Sequence, residues 1–268
     1  MNEIIYSAPG FSLADTLDCG QCFRCEFMQD GSIYVIADGK AVMVGQDGDK
    51  IVFRGASQDE FDMFWHDYFD FGTDYGHIKK VTAVDDTLKK AFDFAGGIHI
   101  LKQHPWETLV SFIISQNNNI PRIKGIISRL CENLGQKHTG ICGDYYAFPD
   151  PASIVSAGIE GLACLKAGFR AKYILDAADK VANGQVDLSA VKTMDTPSAR
   201  SYLMQISGVG PKVAECVLLF GFYRLDAFPV DVWIKRALDR YYPAGFPPNI
   251  EKYKGIAQQW LFHYIRNV

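Results

Sequence analysis

The hydrophobic period of this chain changes once, near Ser57, and that change restricts the fold more than any other feature. Before it, apolar residues come in short β-rich runs, Phe11 to Leu17, Gln21 to Phe27, Ser32 to Ala37 and Lys40 to Val44, set apart by Gly and Asp punctuation. Asp38-Gly39, between the last two runs, is a two-residue hairpin signal. After it, Phe61, Phe64, Trp65, Tyr68 and Phe69 recur at three- and four-residue spacing, and helical patterning continues to the end. Gly or Pro interrupts it near residues 96, 118–121, 140–150, 168, 183, 208 and 243–248. Strands followed by a run of helices predict an α+β protein. The expected parts are an N-terminal twisted antiparallel β-sheet domain with flanking helices over residues 1–96, then two mostly helical domains over 97–208 and 209–268.

Composition closes off several classes. A chain of 268 residues is about two domains' worth, and at 48% hydrophobic and 22% charged it buries a core, which excludes a disordered or collagen-like polymer. The longest apolar stretch, Cys216 to Tyr223, is far short of a membrane span. The start, MNEIIYSAPG, has neither the basic nor the apolar region of a secretory signal. Seven cysteines, an odd number, read as reduced thiols rather than a disulfide framework. These features lead us to expect a soluble monomer without a membrane partner, in the cytoplasm or nucleoid if the source is prokaryotic. Charge divides unevenly: residues 1–100 carry 8 Lys/Arg against 17 Asp/Glu, a net of −9, whereas the rest carries 19 against 14, a net of +5. Either surface charge has segregated by chance, or only the second part faces an anion.

The most informative stretch runs from Ile206 to Cys216, Ile-Ser-Gly-Val-Gly-Pro-Lys-Val-Ala-Glu-Cys. A helix over Pro197 to Ile206 meets Gly208 and Gly210, and a second helix starts at Pro211, where proline suits the first turn. Glycines there permit a tight hairpin and close approach of another molecule, and the free N–H groups and the dipole of the next helix suit a phosphate. Lys212 falls in the first helical turn, where the macrodipole disfavours a cation, and a neutral amine is a nucleophile. Nineteen residues on, Asp231 follows Pro229-Val230 and precedes a helix over Val232 to Tyr241. It suits both an N-cap and a carboxylate that stabilises positive charge on a sugar, and spacing does not separate the two.

With Gly208-Val209-Gly210-Pro211-Lys212 and Asp231 in Pro-Val-Asp-Val, the chain resembles the helix-hairpin-helix, Gly/Pro-Asp superfamily of base-excision DNA glycosylases. Within it, the likeness is to the 8-oxoguanine DNA glycosylase family. Four further blocks carry it in the family's order: Cys19-Gly20-Gln21-Cys22-Phe23-Arg24, Ser115-Gln116-Asn117-Asn118-Asn119-Ile120, Gly168-Phe169-Arg170-Ala171-Lys172-Tyr173 and Ala257-Gln258-Gln259-Trp260-Leu261-Phe262.

The resemblance implies a bifunctional glycosylase and AP lyase that excises 8-oxoguanine, and formamidopyrimidine, opposite cytosine. Its partner is double-stranded DNA carrying an oxidised guanine, and it requires no cofactor. Lys212 is then the nucleophile that forms a Schiff base with C1′, and Asp231 stabilises the sugar cation. The base must leave the stack to be reached. By the same likeness Gly20 offers a carbonyl to the N7 hydrogen of the lesion. Cys216 and Phe262 stack on the base, Gln258 reads its Watson–Crick edge, and Phe220 stands near the pocket where methionine is frequent. A buried core thiol also accounts for Cys216, and a helix border for Gln258 and Phe262. Asn117, Arg122, Phe169 and Arg170 correspond to residues that fill the gap and hold the widowed cytosine, although both arginines also suit phosphate. Gly208, Val209, Gly210 and Trp233 correspond to the phosphate grip, with Trp233 where histidine is common and Phe169 where tyrosine is. The carbonyls of Met204, Ile206 and Val209 are a place for a structural cation, as in relatives.

Cys19, Cys22 and Cys25 have C-x₂-C-x₂-C spacing but no evident fourth ligand, which favours a structural reading over a metal. Two rival functions remain. A monofunctional alkyl-base glycosylase uses the aspartate alone and lacks the lysine. A non-catalytic helix-hairpin-helix DNA-binding module lacks the pocket residues.

Overall fold

A computed structural model describes residues 3–268. Strands β1 (Glu3–Ser7), β2 (Cys25–Phe27), β3 (Ile33–Ala37), β4 (Lys40–Asp47) and β5 (Lys50–Arg54) form one antiparallel sheet in the order β1-β5-β4-β3-β2. Asp38 and Gly39 make the β3–β4 turn at φ 47° and 72°, the positive pair a two-residue hairpin needs to follow the twist of its strands. Ile33, Val35, Val42, Val44, Ile51 and Phe53 turn to one buried face and pack on Trp65 and Phe69.

Two expected strands differ. Leu13–Asp18, within the run from Phe11 to Leu17, is a helix, α1, because Ser12 caps it by accepting the Asp15 N–H at 3.4 Å. Leu13, Thr16 and Leu17 then lie inward at helical spacing, a pattern that a short apolar run does not distinguish from a strand. Of Gln21 to Phe27 only β2 joins the sheet. Gln21 is instead buried, its side chain bonded to backbone groups of Thr16, His99 and Leu101. β1 and β5 lie outside the expected runs.

Helices begin where the period changes, with Ser57 accepting the Glu60 N–H at 3.1 Å. α2 (Gln58–Glu60), a π-turn (Phe61–Trp65) and α3 (His66–Tyr68) run into α4 (Tyr75–Thr82), α5 (Asp86–Ala95), α6 (Pro105–Ser115) and α7 (Ile120–Leu134). A small hairpin, β6 (Lys137–Gly140) and β7 (Gly143–Tyr146), falls where only a break between helices is expected. α8 (Pro151–Gly161), α9 (Arg170–Ala182), α10 (Thr196–Leu203), α11 (Pro211–Gly221), α12 (Val232–Tyr241) and α13 (Lys254–Asn267) complete the chain. α10 stops short of the expected Ile206, because Met204 to Gly210 form the turn.

The architecture is α+β, with a sheet core and a larger helical core. α11 is buried from Val213 to Phe220 and packs on α6, so its first turn is its route to the surface. The segment between α1 and β2 joins the cores: Cys19 and Phe23 belong to the helical one, Cys22 and Cys25 to the sheet one. Among the described residues no helix is long and apolar enough to cross a membrane.

Candidate active site

The hairpin before α11 is held from behind. Gly208 has φ 80°, and a Cβ there would lie 2.4 Å from Cδ2 of the Tyr173 ring. Only glycine fits, for backbone and for space. Asp176 accepts the Ser207 N–H at 2.8 Å through the oxygen that also accepts Lys180 at 2.9 Å, and Lys180 donates to the Gln205 carbonyl at 2.8 Å. The Val209 N–H closes the turn on the Ile206 carbonyl at 3.0 Å, and its side chain is buried. That donor is therefore engaged within the turn, whereas the first-turn N–H groups of α11 at Lys212 and Val213 have no partner within the helix.

Lys212 is half-buried, its ammonium 5.2 Å from the centroid of the Phe112 ring on α6. Cys216, one turn on, is buried, and burial pushes its thiol up. The charge of Lys212 and a hydrogen bond to it act in the opposite sense, and Asp231 adds to the rise. Lys212, Glu215, Phe228 and Val230 line one cleft, which sets the turn that carries Asp231 beside the start of α11. Asp231 is an N-cap: Oδ1 accepts the Ile234 N–H at 2.8 Å.

Glu215, which sequence reasoning passed over, ties α11 to the segment before Asp231. It is 7% exposed; one oxygen accepts the Phe228 N–H at 2.7 Å and the other meets Arg200 at 2.9 Å. The segment leading to Asp231 is thereby tied to the helix of Lys212. An acid within the buried stretch Val213 to Phe220 was the available signal.

Gly20 follows α1 at φ 82°, and a Cβ there would meet nothing within 4 Å, so it borders open space. The carbonyl of Cys19 accepts Gln259 of α13 at 2.9 Å, which docks that segment on the last helix. Gln103 donates to the Gln21 carbonyl at 2.7 Å, and its N–H to the Phe220 carbonyl at 3.0 Å, joining it to the end of α11 as well. Phe220 is buried and stacks on Phe112 at 5.5 Å, so it backs the ring beneath Lys212. Gln258 is 4% exposed and its amide oxygen has no hydrogen-bond partner among the described residues. A buried orphan acceptor costs about 1–3 kcal/mol, which a ligand donor would recover. Phe262, one turn on, is half-buried.

A second cluster lies at the loop before α7 and the start of α9. Asn117 is exposed at φ 46°, and Phe169 is 52% exposed, its ring 4.5 Å from the Arg170 guanidinium. Arg170 is only 2% exposed, and its guanidinium donates to the carbonyls of Gln116 and Asn117, each at 2.8 Å, and of Ala167 at 3.3 Å. Here it braces the Asn117 loop. Burial lowers its affinity for the proton, and the charge of exposed Arg122, in the first turn of α7, adds to that. Trp233 is partly exposed with Arg236 over its ring at 5.2 Å.

No group of three or more His, Cys, Asp or Glu that could hold a metal ion occurs among the described residues. Of the hairpin carbonyls, that of Ile206 already accepts the Val209 N–H. A carbonyl oxygen keeps a second lone pair, so that bond leaves the Ile206 oxygen able to accept once more.

Comparison with known proteins gives two family matches, 8-oxoguanine DNA glycosylase, N-terminal domain, over residues 3–109, and HhH-GPD superfamily base excision DNA repair protein over residues 110–260. An N-glycosylase/DNA lyase of Saccharomyces cerevisiae is 39% identical over 62% of this chain and 51% of its own length. A probable N-glycosylase/DNA lyase of Methanothermobacter thermautotrophicus is 31% identical over 59% of this chain and 57% of its own. The chain thus spans about half the length of the curated relatives it matches. The crystal structure of the Clostridium acetobutylicum 8-oxoguanine glycosylase/lyase, with double-stranded DNA containing cytosine opposite the lesion, has a TM-score of 0.91 and 38% identity, covering 98% of both chains.

Proposed function

The chain belongs to the HhH-GPD superfamily of base excision DNA repair proteins, and from that premise we propose that it excises 8-oxoguanine, and formamidopyrimidine, opposite cytosine in duplex DNA and cleaves the resulting site. Support comes from the primary amine at the first turn of buried α11, facing one cleft with the segment that leads to the N-cap carboxylate of α12. The same proposal keeps the division into 1–96, 97–208 and 209–268, with the opposite-base cluster on the middle part and the reacting groups on the last.

The damaged nucleotide leaves the stack, and Asn117 and Phe169 enter the gap; unstacking costs a few kcal/mol, which an aromatic wedge partly offsets. Gln258 accepts a hydrogen from the base edge, Cys216 and Phe262 sandwich it, and the Gly20 carbonyl accepts the N7 hydrogen that guanine lacks. Phe220 supports this wall through Phe112. Nζ of Lys212 attacks C1′ with its lone pair, the glycosidic bond breaks, the base departs with the bonding pair, and Asp231 stabilises the positive charge that develops on the sugar. Ring opening leaves an imine between Nζ and C1′. Loss of a C2′ proton then expels the 3′ phosphate. Gly208, Gly210 and Trp233 hold the backbone, with the Val209 N–H contributing through turn closure. A cation on the carbonyls of Met204, Ile206 and Val209 would add positive charge facing a phosphate. Arg122 faces the opposite cytosine, and Arg170 fixes the loop that carries Asn117.

The test is borohydride trapping with a duplex containing 8-oxoguanine opposite cytosine. A covalent adduct is expected with the native protein and none with Lys212→Gln. No adduct with the native protein, or an adduct that survives the substitution, overturns the reading.

A further inference from the structure

The cysteines near the start of the chain have no part in that chemistry, and two of them are arranged for another. Cys22 and Cys25 stand in C-x-x-C spacing, buried where the segment from α1 enters β2. Both thiols approach the same acceptor, the Leu17 carbonyl, at 3.8 and 3.5 Å, which sets the two sulfurs on one side of that carbonyl. Lys124 of α7 donates to the Cys25 carbonyl at 2.7 Å and stands 3.6 Å from Cys25 Sγ. Cys25 and Lys124 also line a cavity of about 750 Å³ between β2, β3, α7 and the β6–β7 hairpin. Cys25 therefore combines a cation and an approach for a small molecule with a second sulfur beside it.

We infer that Cys22 and Cys25 are a dithiol modification site for a small peroxide, in which Cys25 reacts first and Cys22 closes on it. The Cys25 thiolate attacks one peroxide oxygen; the O–O bond breaks, hydroxide leaves, and Cys25 becomes a sulfenic acid. The Cys22 sulfur then attacks Cys25; an S–S bond forms, the S–O bond breaks, and the hydroxyl departs as water with the Cys22 proton. Two thiols are oxidised to one disulfide and one peroxide is reduced to two waters. The hydrogen bond from Cys22 holds the Cys25 thiol below its ordinary range, with Lys124 acting in the same sense against burial and Asp18. Cys22 is pushed well up, the order expected of a resolving partner. Cys19 and Cys131 are pushed up to about 12 by burial and serve as internal controls. This inference is independent of the glycosylase reading.

The experiment treats reduced full-length protein with limiting hydrogen peroxide, denatures it in N-ethylmaleimide and maps all seven cysteines by mass spectrometry. The peptide holding both residues should lose two hydrogens, resist alkylation and regain both thiols with dithiothreitol, while Cys19 and Cys131 stay alkylatable. Lys124→Gln should slow closure about tenfold, the thiolate fraction lost when a thiol pKa rises one unit above neutral pH. Lys124→Arg should restore the rate. Cys22→Ser should leave a Cys25 sulfenic acid that dimedone labels. Peroxide modifying only the exposed Cys142 and Cys164, an unchanged rate in Lys124→Gln, or no dimedone label in Cys22→Ser would each refute the site.

Discussion

Gly208→Ala isolates the hairpin that presents Lys212. Two costs add. An L-residue at φ 80° pays about 1–2 kcal/mol for the left-handed backbone. The new methyl would lie 2.4 Å from Cδ2 and 2.5 Å from Cγ of Tyr173, more than an ångström inside normal carbon contact, so the ring must move. Overpacking of that kind costs about 1–3 kcal/mol, for a total of about 2–5 kcal/mol. Urea unfolding measures it, and a double-mutant cycle with Tyr173→Ala separates the parts. Without the ring, Gly208→Ala should cost only the backbone share, about 1–2 kcal/mol. Equal cost in both backgrounds would refute the steric argument, and a cost below about 1 kcal/mol in the native background would refute both.

His99 supplies a pH test. Burial lowers its pKa from 6.5 to about 4, and its Nδ1 lies 3.1 Å from the Phe69 carbonyl. The unfolded chain binds this proton first, so the contribution is complete above pH 6.5 and disappears as pH falls towards 4, by about 3 kcal/mol. Urea midpoints between those limits should fall less steeply in His99→Gln, and parallel curves would contradict it. Arg122→Ala should relax preference for the opposite base more than it slows excision; equal loss across all four opposite bases in single-turnover assays would count against that role. Phe169→Ala should slow excision from duplex roughly ten- to a hundredfold, the worth of one base–aromatic stack, with a smaller effect on single-stranded DNA. Equal losses on both would argue against a wedge.

Local chemistry was readable where one residue decides the backbone. Asp38-Gly39 turns the hairpin, Ser57 starts the helices, Pro211 opens α11 and Asp231 caps α12 over the expected Val232 to Tyr241. Sequence failed where partners are distant. β1 gains strand structure only by pairing with β5, and the run at Phe11 has no period long enough to mark α1. Among site residues, the amine, the carboxylate and the thiol were visible through their motif. The tether through Gln103 was not, because it bonds to backbone, which leaves no trace in composition, and Glu215 showed as an acid on a buried helix but not what it holds. Arg170 shows the same limit: its sequence context suggests a contact with cytosine or phosphate, and only the fold reveals the three carbonyls around it.

The contact between the Cys19 carbonyl and Gln259 spans 240 positions. Loop closure over such a separation is entropically unfavourable, which places this join late in folding. The same helix brings Ile256, Trp260 and Leu261 into the core that holds Ile206 and Val209 of the hairpin. A nascent chain therefore completes its helical core and the tether behind Gly20 in one step, when its last helix emerges.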